Sequence, residues 1–517
     1  MASEVELKLE LPAGAGDAVA DLPWLKELAS GPVKREKLVS VYFDTAKLKL
    51  HENGLTLRIR RAGNKRLQTI KAYRSGARGA FNRDEWEQEV RNDRPDLALA
   101  HGTALEPLVT KKLKRKLRPV FETLVERTVM PIRFDGSEFE IAIDRGQVKT
   151  GARRRPINEL EIELKRGSAA ALPILAERFA RSMPAAYGAR SKAERGYALS
   201  RHENAQPVGA DPIVLDPAAL TGEAFSAIGL SCLHHAMANQ DAIAAGDAEG
   251  IHEMRVGLRR LRAAISVFKE LNRGSQTEAI KSELKWLTDE LGPAREFEVL
   301  IEQRVRPLRK AEPDTGELAT LEEDLDARRR RGLDKAKAAL ASERYRRLGL
   351  RTALWLANGN WAHSTDELAV ARRERPATDF AAEMLRKRTR KIARKIGKLE
   401  ELTARERHKL RIAIKKLRYA TEFFASLFDR RKQAARRKKS GKILKALQNS
   451  LGTLNDIEVH KRLARTVVHP TAPIRKKAEK AFAMGFITGQ EQGRIAACLG
   501  DARTMGRRLS AAPQFWQ

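Results

Sequence analysis

The sequence predicts an α+β chain of more than one domain, with a mainly antiparallel β unit first and an all-α helical bundle after it. Three observations carry this expectation. Residues 1–200 hold several runs that alternate charged and aliphatic side chains, the strictest being Glu4-Val5-Glu6-Leu7-Lys8-Leu9-Glu10-Leu11, and a period of two marks a strand with two unlike faces. From Ala218 onward the alternation gives way to apolar stripes at helical spacing, with little proline. The 517 residues also exceed what one hydrophobic core usually serves, roughly 250 to 300.

In the first unit further strands are expected at 38–45, 54–61, 66–73, 80–90, 119–132, 138–145 and 157–166, with short helices at 46–52, 104–117 and 168–181. Many strands with few helices between them argue for antiparallel pairing under helical cover. The polar faces hold the chemistry. Thr56, Arg58 and Arg60 share one face of their strand, opposite Leu55, Leu57 and Ile59; Glu159, Glu161, Glu163 and Lys165 oppose Leu160, Ile162 and Leu164. An open sheet with its charged side in water fits this pattern. A closed barrel fits it too, with carboxylates in the lumen holding divalent metal and Arg and Lys holding an oligophosphate.

Glu4-Val5-Glu6-Leu7-Lys8 is followed in order by Tyr42-Phe43-Asp44-Thr45, Leu57-Arg58-Ile59-Arg60, Thr69-Ile70-Lys71, Arg83 with Glu85 and Glu87, Asp144, residues 159–165, and Ser191-Lys192 with Arg195. This set resembles the CYTH domain of triphosphate tunnel metalloenzymes over residues 1–200. The resemblance implies an eight-stranded antiparallel tunnel barrel and a substrate that carries a triphosphate. It implies Glu4, Glu6, Glu161 and Glu163 as ligands for Mg²⁺ or Mn²⁺, with Glu159 a further member, and oxygen-only ligation suits such hard cations. It implies Lys8, Arg58, Arg60, Lys71, Arg127 and Lys192 as the phosphate clamp, with Arg195 beside them. Glu85, Glu87 and Asp144 are expected either to bind a second metal or orient water, or to form ion pairs with neighbouring arginines.

The formal net charge is +33 and the isoelectric point about 10.3, so a polyanion is the natural partner. Residues 1–200 hold 38 basic and 27 acidic side chains, and residues 201–517 hold 62 and 40, so the second part carries most of the excess. Aromatics make up 5%, which under-supplies the stacking that holds single-stranded bases. Cys232 and Cys498 offer neither metal spacing nor a disulfide framework. No run approaches the roughly 18 apolar residues of a membrane span, and the first residues lack a leader pattern. A cytoplasmic location is therefore expected.

Residues 201–218 contain Pro207, Pro212 and Pro217 among small and polar residues and read as a linker. The helical domain is expected over 219–510, with helices at 225–245, 249–271, 278–291, 297–309, 318–340, 345–357, 379–399, 404–428, 434–452, 457–468 and 474–497. A repeat organises it. The run from His252 to Arg262 recurs from His408 to Arg418 at an offset of 156 residues, and Leu291-Gly292-Pro293-Ala294-Arg295-Glu296 is echoed by Leu451-Gly452-Thr453-Leu454-Asn455-Asp456 in what reads as a turn. His252, Arg255, Arg259 and Arg262 lie on one side of the first helix, and His408, Arg411, Lys415 and Arg418 repeat that row. One such row is commonly a solvated face; two related by a pseudo-two-fold could line one channel. The repeat and its turn resemble the CHAD domain, a helical module associated with inorganic polyphosphate, which implies that these eight side chains bind polyphosphate.

The resulting expectation is an inorganic triphosphatase that hydrolyses tripolyphosphate to pyrophosphate and phosphate with Mg²⁺ or Mn²⁺. Its helical domain would bind long-chain polyphosphate, placing the protein in the cytoplasm and at polyphosphate granules, without a specific nucleic acid or a membrane as partner. The alternatives are a nucleoside or thiamine triphosphatase, an adenylate cyclase, or a noncatalytic polyphosphate-granule protein.

Overall fold

The computed structural model describes residues 5–72, 84–168, 170–201, 205–312, 315–467 and 473–517. Glu4 and Arg83, together with Tyr73 and positions 80–83 of the expected strands, lie outside the described residues. The first domain is a single antiparallel sheet of β1 (Val5–Glu10), β2 (Lys34–Asp44), β3 (Leu55–Ala62), β4 (Lys65–Ala72), β5 (Asp84–Glu89), β6 (Arg118–Phe134), β7 (Ser137–Thr150), β8 (Arg153–Arg166) and β9 (Ala186–Tyr187). Their order is β5-β4-β3-β2-β6-β7-β8-β1-β9. The expected eight strands gain a ninth because Ala186 and Tyr187 pair with Glu10 and Leu9, a segment too short to show alternation.

The sheet curls so that all eight long strands send side chains into one cavity of about 350 Å³. Its outer face is apolar and covered. Leu57, Ile59 and Ile70 pack under Leu97, Leu105 and Leu113, while Leu7, Leu9, Ile141 and Ile162 pack under Leu172, Leu175 and Phe179 of the Ala171–Ser182 helix. Burying such side chains contributes about 1.5 to 3 kcal/mol each, and it forces the alternate, charged positions inward. Gly196 lets the Lys192–Ser200 helix lie against β6: a Cβ there would stand 2.0 Å from the Phe121 ring.

The core under β1, β7 and β8 continues without a break into the helical domain. Part of the expected linker packs as well, since Ile213 and Leu215 are buried and Asn239 exchanges hydrogen bonds with the Val208 backbone. The two repeat helices, Ala248–Val267 and Ala404–Phe423, pack against each other.

The repeat is broken in one copy only. Helix Ser275–Glu290 stops at Leu291 and a new helix, Gly292–Leu300, starts with Pro293 in its first turn, the position where a missing N–H costs nothing. The second copy has Thr453 there, and the two helices expected at 434–452 and 457–468, with a turn between, are one 37-residue helix, Arg431–Val467. Two further expectations are corrected. Residues 225–245 divide at Asn239 into Thr221–Met237 and Gln240–Ala244, and residues 474–497 divide at Gly493 into Ile474–Gln492 and Ile495–Ala511. Among the described residues, no helix is long and apolar enough to cross a membrane.

Candidate active site

Register decides which charges meet in the cavity. β1 and β8 pair Glu6 with Glu163 and Lys8 with Glu161, and β8 and β7 pair Glu163 with Glu140 and Glu159 with Asp144. Three rows of inward side chains therefore run across β1, β8 and β7, each one pleat deeper than the last. On the facing wall Thr56 lies opposite Lys71, which lies opposite Glu85, while Arg58 lies opposite Thr69, which lies opposite Glu87.

Asp144, Glu159 and Glu161 converge so that one oxygen from each lies within 4.8 Å of the others. Like charges this close and this buried are untenable alone. Lys192 balances them, its Nζ lying 2.7 Å from Asp144 Oδ2, 2.6 Å from Glu159 Oε2 and 2.8 Å from Glu161 Oε1. That ammonium comes from a helix, not a strand, and Ser191 aims it by capping the helix in a reciprocal box with Glu194. Arg127 donates from Nε and Nη2 to the two oxygens of Asp144, both at 2.7 Å, and from Nη2 to Glu161 Oε2 at 2.6 Å. Lys8 lies 3.1 Å from Glu161 and 3.8 Å from both Glu6 and Glu159. Burial would raise the Glu161 carboxyl, yet Lys192, Lys8 and Arg127 hold it well below the usual carboxylate range. Burial likewise opposes charge on Arg127 and Lys192, but the carboxylates keep both above their ordinary values.

The facing wall is more cationic. Lys71 Nζ lies 2.6 Å from Glu85 Oε2, and Arg58 Nη2 lies 3.7 Å from Glu85 Oε1. Glu87 accepts from Thr69 Oγ1 at 2.9 Å, and Arg58 donates to the Tyr42 hydroxyl at 3.3 Å. Arg60 has a buried Nε with no hydrogen-bond partner among the described residues, and Arg58, together with burial, pushes its pKa down to about 10. A guanidinium crowded by another cation gains most from an incoming anion.

The structure thus gathers Glu6, Lys8, Arg58, Arg60, Lys71, Glu85, Glu87, Arg127, Asp144, Glu161, Glu163 and Lys192 around one cavity. Glu159 is fully buried beneath it, and Arg195 meets Glu159 from behind rather than reaching the lumen. Glu85 and Asp144 form the ion pairs with Lys71 and Arg127 that their positions allowed. Sequence reasoning passed over Ser40, Thr123 and Glu140, which also line the cavity. Alternation along β2 and β7 carried that signal: Ser40 shares a face with Leu38 and Tyr42, and Glu140 with Asp144.

In the helical domain the two rows meet in part. Burial depresses both Arg255 and Arg411, and repulsion from Arg259 adds to it in each case, as befits guanidiniums that are neighbours across the helix pair. Arg255 falls to about 10, and Lys415 falls to about 7 through burial and the charges of Arg411 and Arg259. The buried Nε atoms of Arg255, Arg259 and Arg411 have no hydrogen-bond partner among the described residues. Glu296 stands by Arg255 as Asp456 stands by Arg411, at 4.0 Å, so this part of the repeat is kept despite the differing helix break. His408 bonds Asn455, whereas His252 faces Arg295 and is held at about 4 by burial and that charge. Arg418 is tied to Gln448 and Glu422, and Arg262 is exposed on the side of Lys416.

Two family models match the chain, the CYTH domain over residues 2–197 and the CHAD domain over residues 227–465. Among curated proteins, an inorganic triphosphatase from Haemophilus influenzae is 29% identical over 202 residues, 38% of this chain and 55% of that protein. An uncharacterized protein from Mycobacterium tuberculosis is 28% identical over 276 residues, 52% of this chain and 50% of that protein. The chain spans about half the length of the curated relatives it matches. The crystal structure of the CHAD domain from the plant Ricinus communis is 31% identical, covers 60% of this chain and 99% of its own, and superposes with a TM-score of 0.51.

Proposed function

Since the chain belongs to the CYTH family over residues 2–197 and to the CHAD family over residues 227–465, we propose that it hydrolyses inorganic triphosphate to pyrophosphate and phosphate and binds long-chain polyphosphate through its helical domain. The observation that carries the enzymatic half is the cavity itself: seven cations and seven carboxylates line one space inside the curled sheet. Neither an open solvated face nor a simple polyanion-binding surface needs buried carboxylates.

Within this reading the domains run over 1–200 and 219–510, joined by 201–218. Arg58, Arg60 and Lys71 engage the phosphate oxygens from one wall, and Lys8, Arg127 and Lys192 from the other. Glu6, Glu161 and Glu163 hold Mg²⁺ or Mn²⁺, with Glu140 in the same cross-strand row as Glu6 and Glu163, and Asp144 and Glu159 next to Glu161. This all-oxygen donor set fits a hard cation. Such an ion, when bound, neutralises phosphoanhydride oxygens and templates the substrate. The protein's own contribution is positional and electrostatic: guanidinium and ammonium groups held in place before substrate arrives, in a site that limits water. Cytoplasmic placement and association with polyphosphate granules complete the reading.

The test is phosphate release from tripolyphosphate, ATP, thiamine triphosphate and long-chain polyphosphate, with and without Mg²⁺ or Mn²⁺. Metal-dependent release from tripolyphosphate above the others is expected. Preference for a nucleoside or thiamine triphosphate would reassign the substrate, and no release at all would leave a binding protein.

A further inference from the structure

A second cavity, of about 420 Å³, lies where the sheet domain meets the helical domain, beyond the deep end of the tunnel. Four guanidiniums line it: Arg155, Arg190 and Arg195 from the first domain and Arg346 from the helical domain. Arg155 Nη1 and Arg190 Nη1 both reach Asp241 Oδ2, at 3.2 and 3.4 Å. A single carboxylate held between two arginines is the arrangement in which an oxyanion binds, and here the carboxylate is supplied by the other domain. It is also displaceable, because the Asp241 side chain is 47% exposed while those of Arg155 and Arg190 are 24% and 13% exposed.

The walls also hold unused donors. The buried Nε atoms of Arg195 and Arg346 and the hydroxyl of Tyr345 have no hydrogen-bond partner among the described residues. Tyr345 is 3% exposed, so its hydroxyl gains no bulk water in exchange, and a buried donor left unmade costs about 1 to 3 kcal/mol. Glu10 is the other acid in the lining, and burial raises its carboxyl pKa toward the neutral form. Arg155, Arg190 and Arg346 therefore face one displaceable and one weakened negative charge, and Arg195 is shared with Glu159 behind it.

We propose that this interdomain cavity is a binding site for a phosphate oxyanion, which takes the place of the Asp241 carboxylate between Arg155 and Arg190 and accepts from Arg195, Arg346 and Tyr345. Occupancy is felt in the tunnel through Arg195. That guanidinium meets Glu159, whose Oε2 lies 2.6 Å from Lys192 Nζ. Drawing Arg195 toward an anion strips Glu159 of a partner and tightens its hold on Lys192. The binding stands on the cavity alone; its regulatory effect rests on the tunnel being the catalytic site proposed above.

The experiment is calorimetric titration of the full-length chain with orthophosphate and, separately, pyrophosphate, in an Arg58→Ala/Arg60→Ala/Arg411→Ala/Lys415→Ala background that weakens both the tunnel and the helical rows. One site should remain. Arg346→Ala should weaken it about tenfold or more and Tyr345→Phe about threefold, the range expected for a charge-assisted and a neutral hydrogen bond. Asp241→Asn should tighten it, because the competing carboxylate is gone, whereas a purely structural Asp241 would give no gain. If Arg346→Ala lowers the melting temperature, Tyr345→Phe and Asp241→Asn carry the decision. Tighter pyrophosphate binding assigns a diphosphate, equal binding an orthophosphate group. No remaining site, or a site indifferent to Asp241→Asn and Tyr345→Phe, overturns the proposal. A chain that binds here yet releases no phosphate from any triphosphate would refute the enzymatic reading and leave this one standing.

Discussion

The tunnel and the helical rows are both lined by arginine and lysine, but their electrostatics run in opposite directions. In the tunnel, carboxylates sit among the cations and lift Arg127 and Lys192 above their ordinary values in spite of burial, while Arg60, crowded by Arg58, is depressed. In the helical rows, cations crowd other cations, and Arg255, Arg411 and Lys415 are all depressed. The tunnel is a neutralised network whose partners can be exchanged for metal and phosphate. The rows are a positive cluster that Glu296 and Asp456 compensate only in part and that an outside anion relieves further. Net charge alone does not separate these cases; the distribution of carboxylates does.

The comparison breaks most visibly at Glu161. Glu161→Gln should reduce metal-dependent triphosphate turnover by about 10²-fold or more, the scale of removing one preorganised charge from a transition-state site. Circular dichroism should show a folded chain, and near-normal turnover would mean that the carboxylates merely balance charge. Arg60→Ala comes next. Since Arg60 is already crowded by Arg58, its loss should leave melting temperature nearly unchanged while lowering turnover about tenfold or more; the reverse pattern would make it structural.

On the helical side, Arg411→Ala with Lys415→Ala should weaken long-chain polyphosphate binding and flatten its salt dependence by about 0.7 to 0.9 in log–log slope per lost phosphate contact. Tripolyphosphate turnover should persist. An unchanged slope would return this row to an ordinary solvated face.

Lys415, held at about 7, sets a pH signature. Its folded value is lowered, so between about 7 and its unfolded value the unfolded chain holds the extra proton and stability rises with pH across that window. Polyphosphate favours the charged form, so binding takes up a proton and affinity should fall as pH rises from 6 to 9. Lys415→Arg should remove that fall, as followed by titration at constant salt. The smallest effect belongs to Arg262→Ala, which should alter polyphosphate affinity by less than about twofold because an exposed charge is screened. A loss equal to that of Arg411→Ala would extend the row to the last turn of the helix.

Much of the sheet domain was legible because β strands write their two faces into consecutive residues. Glu6 and Lys8, Arg58 and Arg60, Glu161 and Glu163 announce themselves by alternating with buried aliphatics. β9 left no trace because two residues have no period. The helical rows were legible by repetition, yet Arg262 and Arg418 keep the spacing of the row without its surroundings: one is exposed and the other is bound to Gln448 and Glu422.

By itself, the sequence determined the succession of a strand-rich and a helical region, the faces that carry charge, and the duplicated basic helix, since each is set by neighbours a few positions apart. It also contained Pro293 and Thr453, but their opposite consequences, a break and an unbroken 37-residue helix, appeared only in the fold. Tertiary structure alone decided that Lys192 sits among Asp144, Glu159 and Glu161, that Arg259 depresses Arg411, and that Asp241 reaches across the domains to Arg155 and Arg190. These groups are distant in sequence, and their interaction depends on strand register and helix packing. Coulomb energy varies with distance in space and with local burial, neither of which a local pattern of residues specifies.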